Sequence, residues 1–163
     1  MTEHERYSRD ETKAQQLDRN FNEQLQEVRI AQAGVQILFA FLLTLPFQQR
    51  FTTLSDFQRN VYLWTLIAAA VSVVMFTAPV AAHRTLFREG VKDFIVKYSS
   101  RLTATGLFTL LVAVVGGTVL VLDVMLSHTA SLAIGGTLAL LAIVLWLVIP
   151  LWHKAKRAEH TKA

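Results

Sequence analysis

The hydrophobic positions of the chain fall into four long stretches that contain no Asp, Glu, Lys, Arg or His. A helix needs about 20 apolar residues to cross the roughly 30 Å hydrocarbon core of a bilayer, and three of the stretches exceed that length. The first is shorter and contains two glutamines; without it the chain would cross three times and its termini would lie on opposite sides. The pattern predicts an all-α membrane protein with four spans, Ile30–Phe47, Val61–Ala82, Leu102–Leu122 and Thr129–Trp152.

The basic residues predict the orientation of these spans. Of the 16 Lys and Arg residues, only Arg50 and Arg59 lie in the two short connections that follow the first and third stretches. The others lie before the first span, between the second and third, and after the fourth. Because cytoplasmic loops are enriched in Lys and Arg, we expect both termini to be cytoplasmic.

The order of these segments predicts three parts. These are a polar cytoplasmic segment (residues 1–29), a four-helix transmembrane domain (30–152) and a basic cytoplasmic tail (153–163). Amphipathic helices are expected before the first and third spans, either on the membrane surface or as extensions of the spans. Their apolar faces would consist of Leu17, Phe21, Leu25 and Val28 in the first helix and of Phe87, Val91, Phe94, Ile95 and Tyr98 in the second.

Composition narrows the classes of function. Hydrophobic residues make up 53% of the chain, and charged residues make up only 17%. The net charge of +4 is explained by basic cytoplasmic loops, so nucleic acid is not an expected partner. The absence of cysteine excludes a disulfide framework, a thiolate metal site and a cysteine nucleophile. Neither a metal nor a cofactor is expected.

Each span carries a stripe of small or polar residues, the kind through which helices associate in lipid. We therefore expect the stripes to meet in the centre of the bundle. They consist of Arg29, Gln32, Ala33, Gln36, Ala40 and Thr44 in the first span; Thr65, Ala69, Ser72, Pro79 and His83 in the second; Thr105, Thr109, Ala113, Gly116 and Asp123 in the third; and Ser131, Gly135, Ala139 and Ala142 in the fourth.

Four polar positions are candidate functional residues. Gln32 and Gln36 lie one turn apart, and we expect them to be buried between helices. They would form either a hydrogen-bonded clamp or the polar lining of an ion or water path. Asp123 is the one carboxylate near a span interior, either a functional group or a hydrated cap of the fourth span. His83 ends the second span, as an interface anchor or a proton carrier.

The run from Asn20 to Phe51, together with Pro79–Arg84 and Arg101-Leu102, resembles a family of small bacterial membrane proteins of unknown function. The resemblance covers about residues 20–125 and implies a four-span fold, but it supplies no site residues. Some members carry a sodium:proton antiporter label. Antiport usually needs a titratable group near the middle of the membrane, and the four stretches contain none.

These observations favour a non-enzymatic protein of the bacterial inner membrane that acts through assembly, as a homo-oligomer or as an accessory subunit of a larger complex. The alternative is a small oligomeric ion conduit or a proton-coupled cation transporter. An enzyme is not expected, because no nucleophile–base pair or metal-ligand cluster is visible in the sequence. The lipid bilayer is the expected partner in either case.

Overall fold

The computed structural model describes residues 13–86 and 92–160, and these residues are almost entirely helical. Four of its helices are long enough and apolar enough to cross a membrane, over Asn22–Phe47, Asp56–Ala82, Ile95–Met125 and His128–Lys156. The predicted four-span all-α fold is confirmed at this level, including the short first span. The α-helices are α1 (Lys13–Thr44), α2 (Asp56–Leu86), α3 (Lys92–Met125), α4 (His128–Ile143) and α5 (Ile149–His160). The first three spans lie in α1, α2 and α3, and the fourth crossing consists of α4 and α5 with the turn between them.

Short polar and proline signals set the ends of these helices. Pro46 lies in a 3-10 turn, Leu45–Phe47, directly after α1, and a second 3-10 turn covers Gln49–Thr53. Proline disfavours helical geometry at the preceding residue, which explains why α1 stops there. At the start of α4, the Ser127 hydroxyl accepts a hydrogen bond from the Ala130 N–H at 3.4 Å, as an N-cap.

The pair α2–α3 forms the centre of the molecule, and α1 packs against both of its helices. Glycines allow α2 and α3 to approach closely. Gly106 faces the Phe76 ring, where a Cβ at residue 106 would lie 2.6 Å from the nearest ring carbon. Gly116 faces Thr65 in the same way. This close approach is the packing expected of helices in lipid, where small residues let the backbones come close enough for van der Waals packing to hold the helices together.

The fourth crossing packs mainly against one neighbour. Within residues 13–86 and 92–160, α4 packs along α3, and its contact with α2 is confined to the first turn, where the His128 ring meets Phe57. The contact is close at Gly135, where an added Cβ would collide with the side chain of Val119. Between α4 and α5 the helix widens into a π-helical turn, Val144–Val148. Pro150 lies two residues after this turn. Proline lacks an N–H, and its ring clashes with the carbonyl four residues earlier, which accounts for the irregular turn.

This connectivity defines two ends of the bundle. The turn end contains the connections from α1 to α2 and from α3 to α4. The tail end contains the start of α1, the end of α2, the start of α3 and α5. Helix α1 is continuous from Lys13, so the segment predicted as a first amphipathic helix extends the span. Similarly, α3 is continuous from Lys92, whereas Phe87 and Val91 lie outside the described residues.

The polar stripe of the first span faces away from the bundle, contrary to the prediction, except at Gln32, which is partly buried. The residues of α1 that are buried in the bundle are Val28, Val35 and Leu42, spaced by two helical turns. Gln36 and Ala40 therefore lie on the exposed side of α1. The stripes of α2 and α4 were oriented correctly at Thr65, Ala69, Ser72, Pro79, Ser131 and Gly135, all of which are buried, although the α4 stripe faces α3 rather than a common centre.

Candidate functional sites

A cluster of polar side chains joins three helices at the turn end. Asp123, near the end of α3, accepts hydrogen bonds from the Gln58 amide at 2.9 Å, the His128 ring at 2.8 Å and the Ser131 hydroxyl at 2.9 Å. The Asp123 side chain is only 8% exposed, whereas His128 is 56% exposed. We call Gln58, Asp123, His128 and Ser131 the turn-end cluster. It ties α2, α3 and the start of α4 together through one carboxylate.

The oxygen and the nitrogen of the Gln58 carboxamide each have a hydrogen-bonding partner, and this fixes the side chain toward Asp123. Its carbonyl oxygen accepts from the Ser55 N–H at 3.0 Å, and the Ser55 hydroxyl accepts from the Gln58 N–H at 3.3 Å. This reciprocal pair is a capping box, which satisfies free N–H groups at the start of α2. The NH₂ group of the same carboxamide is thereby held in place to donate to Asp123.

His128 is the first residue of α4, and it is positioned by an aromatic contact as well as by Asp123. Its ring meets the Phe57 ring edge to face, with centroids 4.6 Å apart. The Asp123 carboxylate is thus surrounded by donors, and among the described residues no group of three or more His, Asp and Glu could hold a metal ion. The arrangement is that of a hydrogen-bonded clamp between the end of the third span and the starts of the second and fourth.

A second, smaller polar contact lies in the middle of the α2–α3 interface. The Ser72 hydroxyl donates to the Gly106 carbonyl at 3.0 Å and lies 2.7 Å from the Thr109 hydroxyl. The Thr109 hydroxyl also reaches the Gly106 carbonyl, at 3.0 Å. Each hydroxyl has a partner within the bundle, so this group locks the two helices together and presents no free polar surface.

The two glutamines of α1 do not form the intramolecular clamp that their spacing suggested. Gln32 is partly buried and Gln36 is exposed. Neither amide forms a side-chain hydrogen bond with another residue in the described part of the chain. The prediction that both amides are buried between helices is contradicted for Gln36 within the single chain, because Val28, Val35 and Leu42 occupy the inner face of α1.

The four predicted site residues are not brought together. Asp123 lies at the turn end, Gln36 lies along the exposed face of α1, and His83 lies near the tail end of α2, with its side chain outside the described part of the structure. Sequence analysis missed Gln58 and His128 as partners of Asp123. The Ser-x-x-Gln spacing of the capping box was the available signal for Gln58.

Comparison with known proteins identifies the family but supplies no function. A family model described as a family of unknown function, DUF6328, matches residues 10–150, and the chain belongs to this family. No curated protein matches the chain, and no solved structure matches it either. The match confirms the resemblance to an uncharacterised family that the run from Asn20 to Phe51, Pro79–Arg84 and Arg101-Leu102 indicated.

Proposed function

We propose that this protein acts in the membrane by assembling into a homo-oligomer through the exposed polar face of α1. One observation carries this proposal: Gln36 presents a carboxamide on the outside of a helix that is apolar enough to cross a bilayer. We call Ala33, Gln36, Ala40 and Thr44, which are all exposed, the Gln36 face.

Gln36 needs a hydrogen-bonding partner, and no other residue within 13–86 and 92–160 of its own chain supplies one. An unpaired amide in hydrocarbon costs several kcal/mol, because no water is present to bond it. A carboxamide both donates and accepts, so two Gln36 side chains can pair across a two-fold axis. Ala33 and Ala40 lie on either side of Gln36 along this face, and their small side chains permit two α1 helices to approach closely.

The proposed orientation places the tail end in the cytoplasm of a bacterial cell, with the protein in the inner membrane. The support is the concentration of Lys and Arg in the segments at that end. We further propose a non-enzymatic role. Its support is chemical: the turn-end cluster holds its carboxylate against three donors, and this leaves it poorly suited to act as a base.

A small ion conduit is the second candidate, and the position of Gln32 favours it. Gln32 lies one turn from Gln36 at the edge of the buried face. In an oligomer centred on α1, the two amides of each copy would form polar rings along the axis. A proton-coupled antiporter is less well supported, because the carboxylate nearest to a span interior, Asp123, lies at the turn end within a hydrogen-bonded cluster.

The test replaces Gln36 by Leu in the full-length chain and uses Thr137→Leu as the matched control. Thr137 is also exposed on a span, but its hydroxyl already donates to Ala133 of its own helix at 2.8 Å. Hydrogen bonds between membrane helices contribute about 0.6 kcal/mol on average and about 1.7 at most, so Gln36→Leu should weaken association by about 3- to 20-fold. Light scattering of the protein in mild detergent measures this association.

The possible results separate the two candidates. Weaker association of Gln36→Leu, with Thr137→Leu unchanged, supports assembly through the Gln36 face. A monomeric wild-type protein, or equal association of all three proteins, contradicts it. Cation flux in proteoliposomes that disappears in Gln36→Leu while the oligomer persists would establish the conduit instead.

A further inference from the structure

The first half of α5 lies where the fourth crossing leaves the hydrocarbon core. The apolar helix of this crossing begins at His128. About 20 helical residues cover the roughly 30 Å of hydrocarbon, so the chain reaches the lipid headgroups near Val148, the last residue of the π-helical turn. Every residue from Ile149 to Lys156 is exposed. The side chains of this segment therefore meet the headgroup region and not the interior of the bundle.

The Trp152 ring contacts two other side chains on the same face of this segment. Trp152, His153 and Lys156 lie at positions i, i+1 and i+4, within about 100° of one another around the helix axis. The Lys156 ammonium lies 4.0 Å from the centroid of the Trp152 ring, where the attraction between a cation and an aromatic face holds it. The centroids of the Trp152 and His153 rings are 5.5 Å apart. We call these three residues the Trp152 patch.

The side chains of the Trp152 patch offer hydrogen-bond donors. The indole N–H and the ammonium can only donate, and an imidazole always carries at least one N–H. Within residues 13–86 and 92–160, none of the three side chains has a hydrogen-bond acceptor or a carboxylate partner. A lipid phosphate presents acceptor oxygens and a negative charge, so it complements these donors. Tryptophan is also enriched at membrane–water interfaces, where its ring lies among the headgroups.

We propose that the Trp152 patch binds the phosphate group of an anionic phospholipid in the leaflet at the tail end. The charge of α5 favours an anionic lipid over a zwitterionic one, because residues 149–160 contain three Lys or Arg residues and one acidic residue. Free phosphate is a poorer occupant, since lipid phosphates surround a patch at this depth. This inference does not depend on the Gln36 face, which lies on a different helix.

The test measures which lipids remain bound to the full-length protein. The protein is held on an affinity resin in mild detergent, equilibrated with equal amounts of dioleoyl phosphatidylglycerol and dioleoyl phosphatidylcholine, and washed. The retained lipids are extracted and quantified by mass spectrometry. We expect the wild type to retain phosphatidylglycerol preferentially. A basic residue near an anionic surface contributes about fivefold in binding, so Lys156→Gln should reduce this preference about fivefold.

Lys154→Gln is the matched control. It removes the same charge from the same helix, but Lys154 lies two residues from Lys156 and therefore on the opposite face of α5. It should change the preference much less than Lys156→Gln does. Trp152→Leu keeps every charge but removes the ring that holds the Lys156 ammonium, and it should lower the preference as well. Circular dichroism confirms that each variant is folded.

Three results would overturn the proposal. Equal retention of the two lipids by the wild type would show that no anionic lipid is selected. Equal effects of Lys156→Gln and Lys154→Gln, with folded Trp152→Leu unaltered, would show that the charge of α5 acts diffusely and not through the Trp152 patch. Release of phosphatidylglycerol by a wash with excess inorganic phosphate, at constant ionic strength, would show that the patch takes any phosphate.

Discussion

At the scale of single residues, Asp123 has more hydrogen-bonding partners than any other side chain at the turn end. Its neighbours come from α2 and from the start of α4, and each donates at 2.8–2.9 Å. Hydrogen bonds to a charged acceptor contribute about 1.5–3 kcal/mol each, roughly twice as much as neutral ones. The stability of the turn end should therefore depend on this one carboxylate.

We expect Asp123→Asn to destabilise the protein. One carboxylate oxygen accepts from Gln58 and the other accepts from His128 and Ser131, so in either orientation the NH₂ group of the asparagine would face a donor instead of an acceptor. The loss should be about 1.5–3 kcal/mol. Thermal unfolding in mild detergent, followed by circular dichroism, measures it. Asp56→Asn is the matched control: Asp56 is an exposed carboxylate in the first turn of α2, and its replacement should cost at most about 1 kcal/mol. Equal effects of the two replacements would contradict a clamp centred on Asp123.

The partners of Asp123 show why this site could be predicted only in part. Its position near the end of the third span followed from the length of that span, a local property of the sequence. Its partner Gln58 lies 65 residues away in the chain. Which side chain meets it depends on how α2 and α3 are rotated against each other, and no local pattern specifies that rotation.

At the scale of helices, the spans themselves were easier to predict than the faces through which they pack. The lengths and number of the spans were predictable, because hydrophobic length is read directly from the sequence. The face of α1 that packs against the bundle could not be predicted in this way. Val28, Val35 and Leu42 are as apolar as lipid chains, so a face that packs on protein and a face that meets lipid have the same composition.

Adjacent glycines in α4 allow a matched test of helix contact. A side chain at Gly135 would collide with Val119, whereas Gly136 has no atom within 4 Å of an added Cβ. We expect Gly135→Leu to destabilise the protein by about 1–3 kcal/mol, the usual effect of overpacking, and Gly136→Leu to be nearly neutral. Thermal unfolding in detergent measures both. Similar melting temperatures for the two variants would show that α4 and α3 do not pack as described.

At the scale of the whole molecule, the distribution of charge should determine how the protein lies in the membrane. The tail end carries most of the basic residues of the chain, and the turn end contains Arg50 and Arg59. Insertion follows such asymmetry when the loops are short. The bundle should therefore have its turn-end cluster on the outer side of the membrane.

Reporter fusions test this orientation. A reporter joined after Ser55 should be exported, because Ser55 lies in the turn between α1 and α2. Reporters joined after Arg84 and at the C-terminus should remain cytoplasmic, and they serve as mutual controls. Paired alkaline phosphatase and green fluorescent protein activities in cells measure the location. If the Ser55 and C-terminal fusions report the same compartment, the four-span topology is wrong.

The packing of α4 mainly along α3 has a consequence for the order of assembly during synthesis. Among the described residues, α1, α2 and α3 make their mutual contacts without α4. Chains grow at about 5–20 residues per second, so the part that follows Met125 takes several seconds to emerge. During that interval Asp123 has Gln58 as its one available partner in the cluster. We therefore expect the arrival of His128 and Ser131 to complete the set of donors as the last helix docks onto the other three.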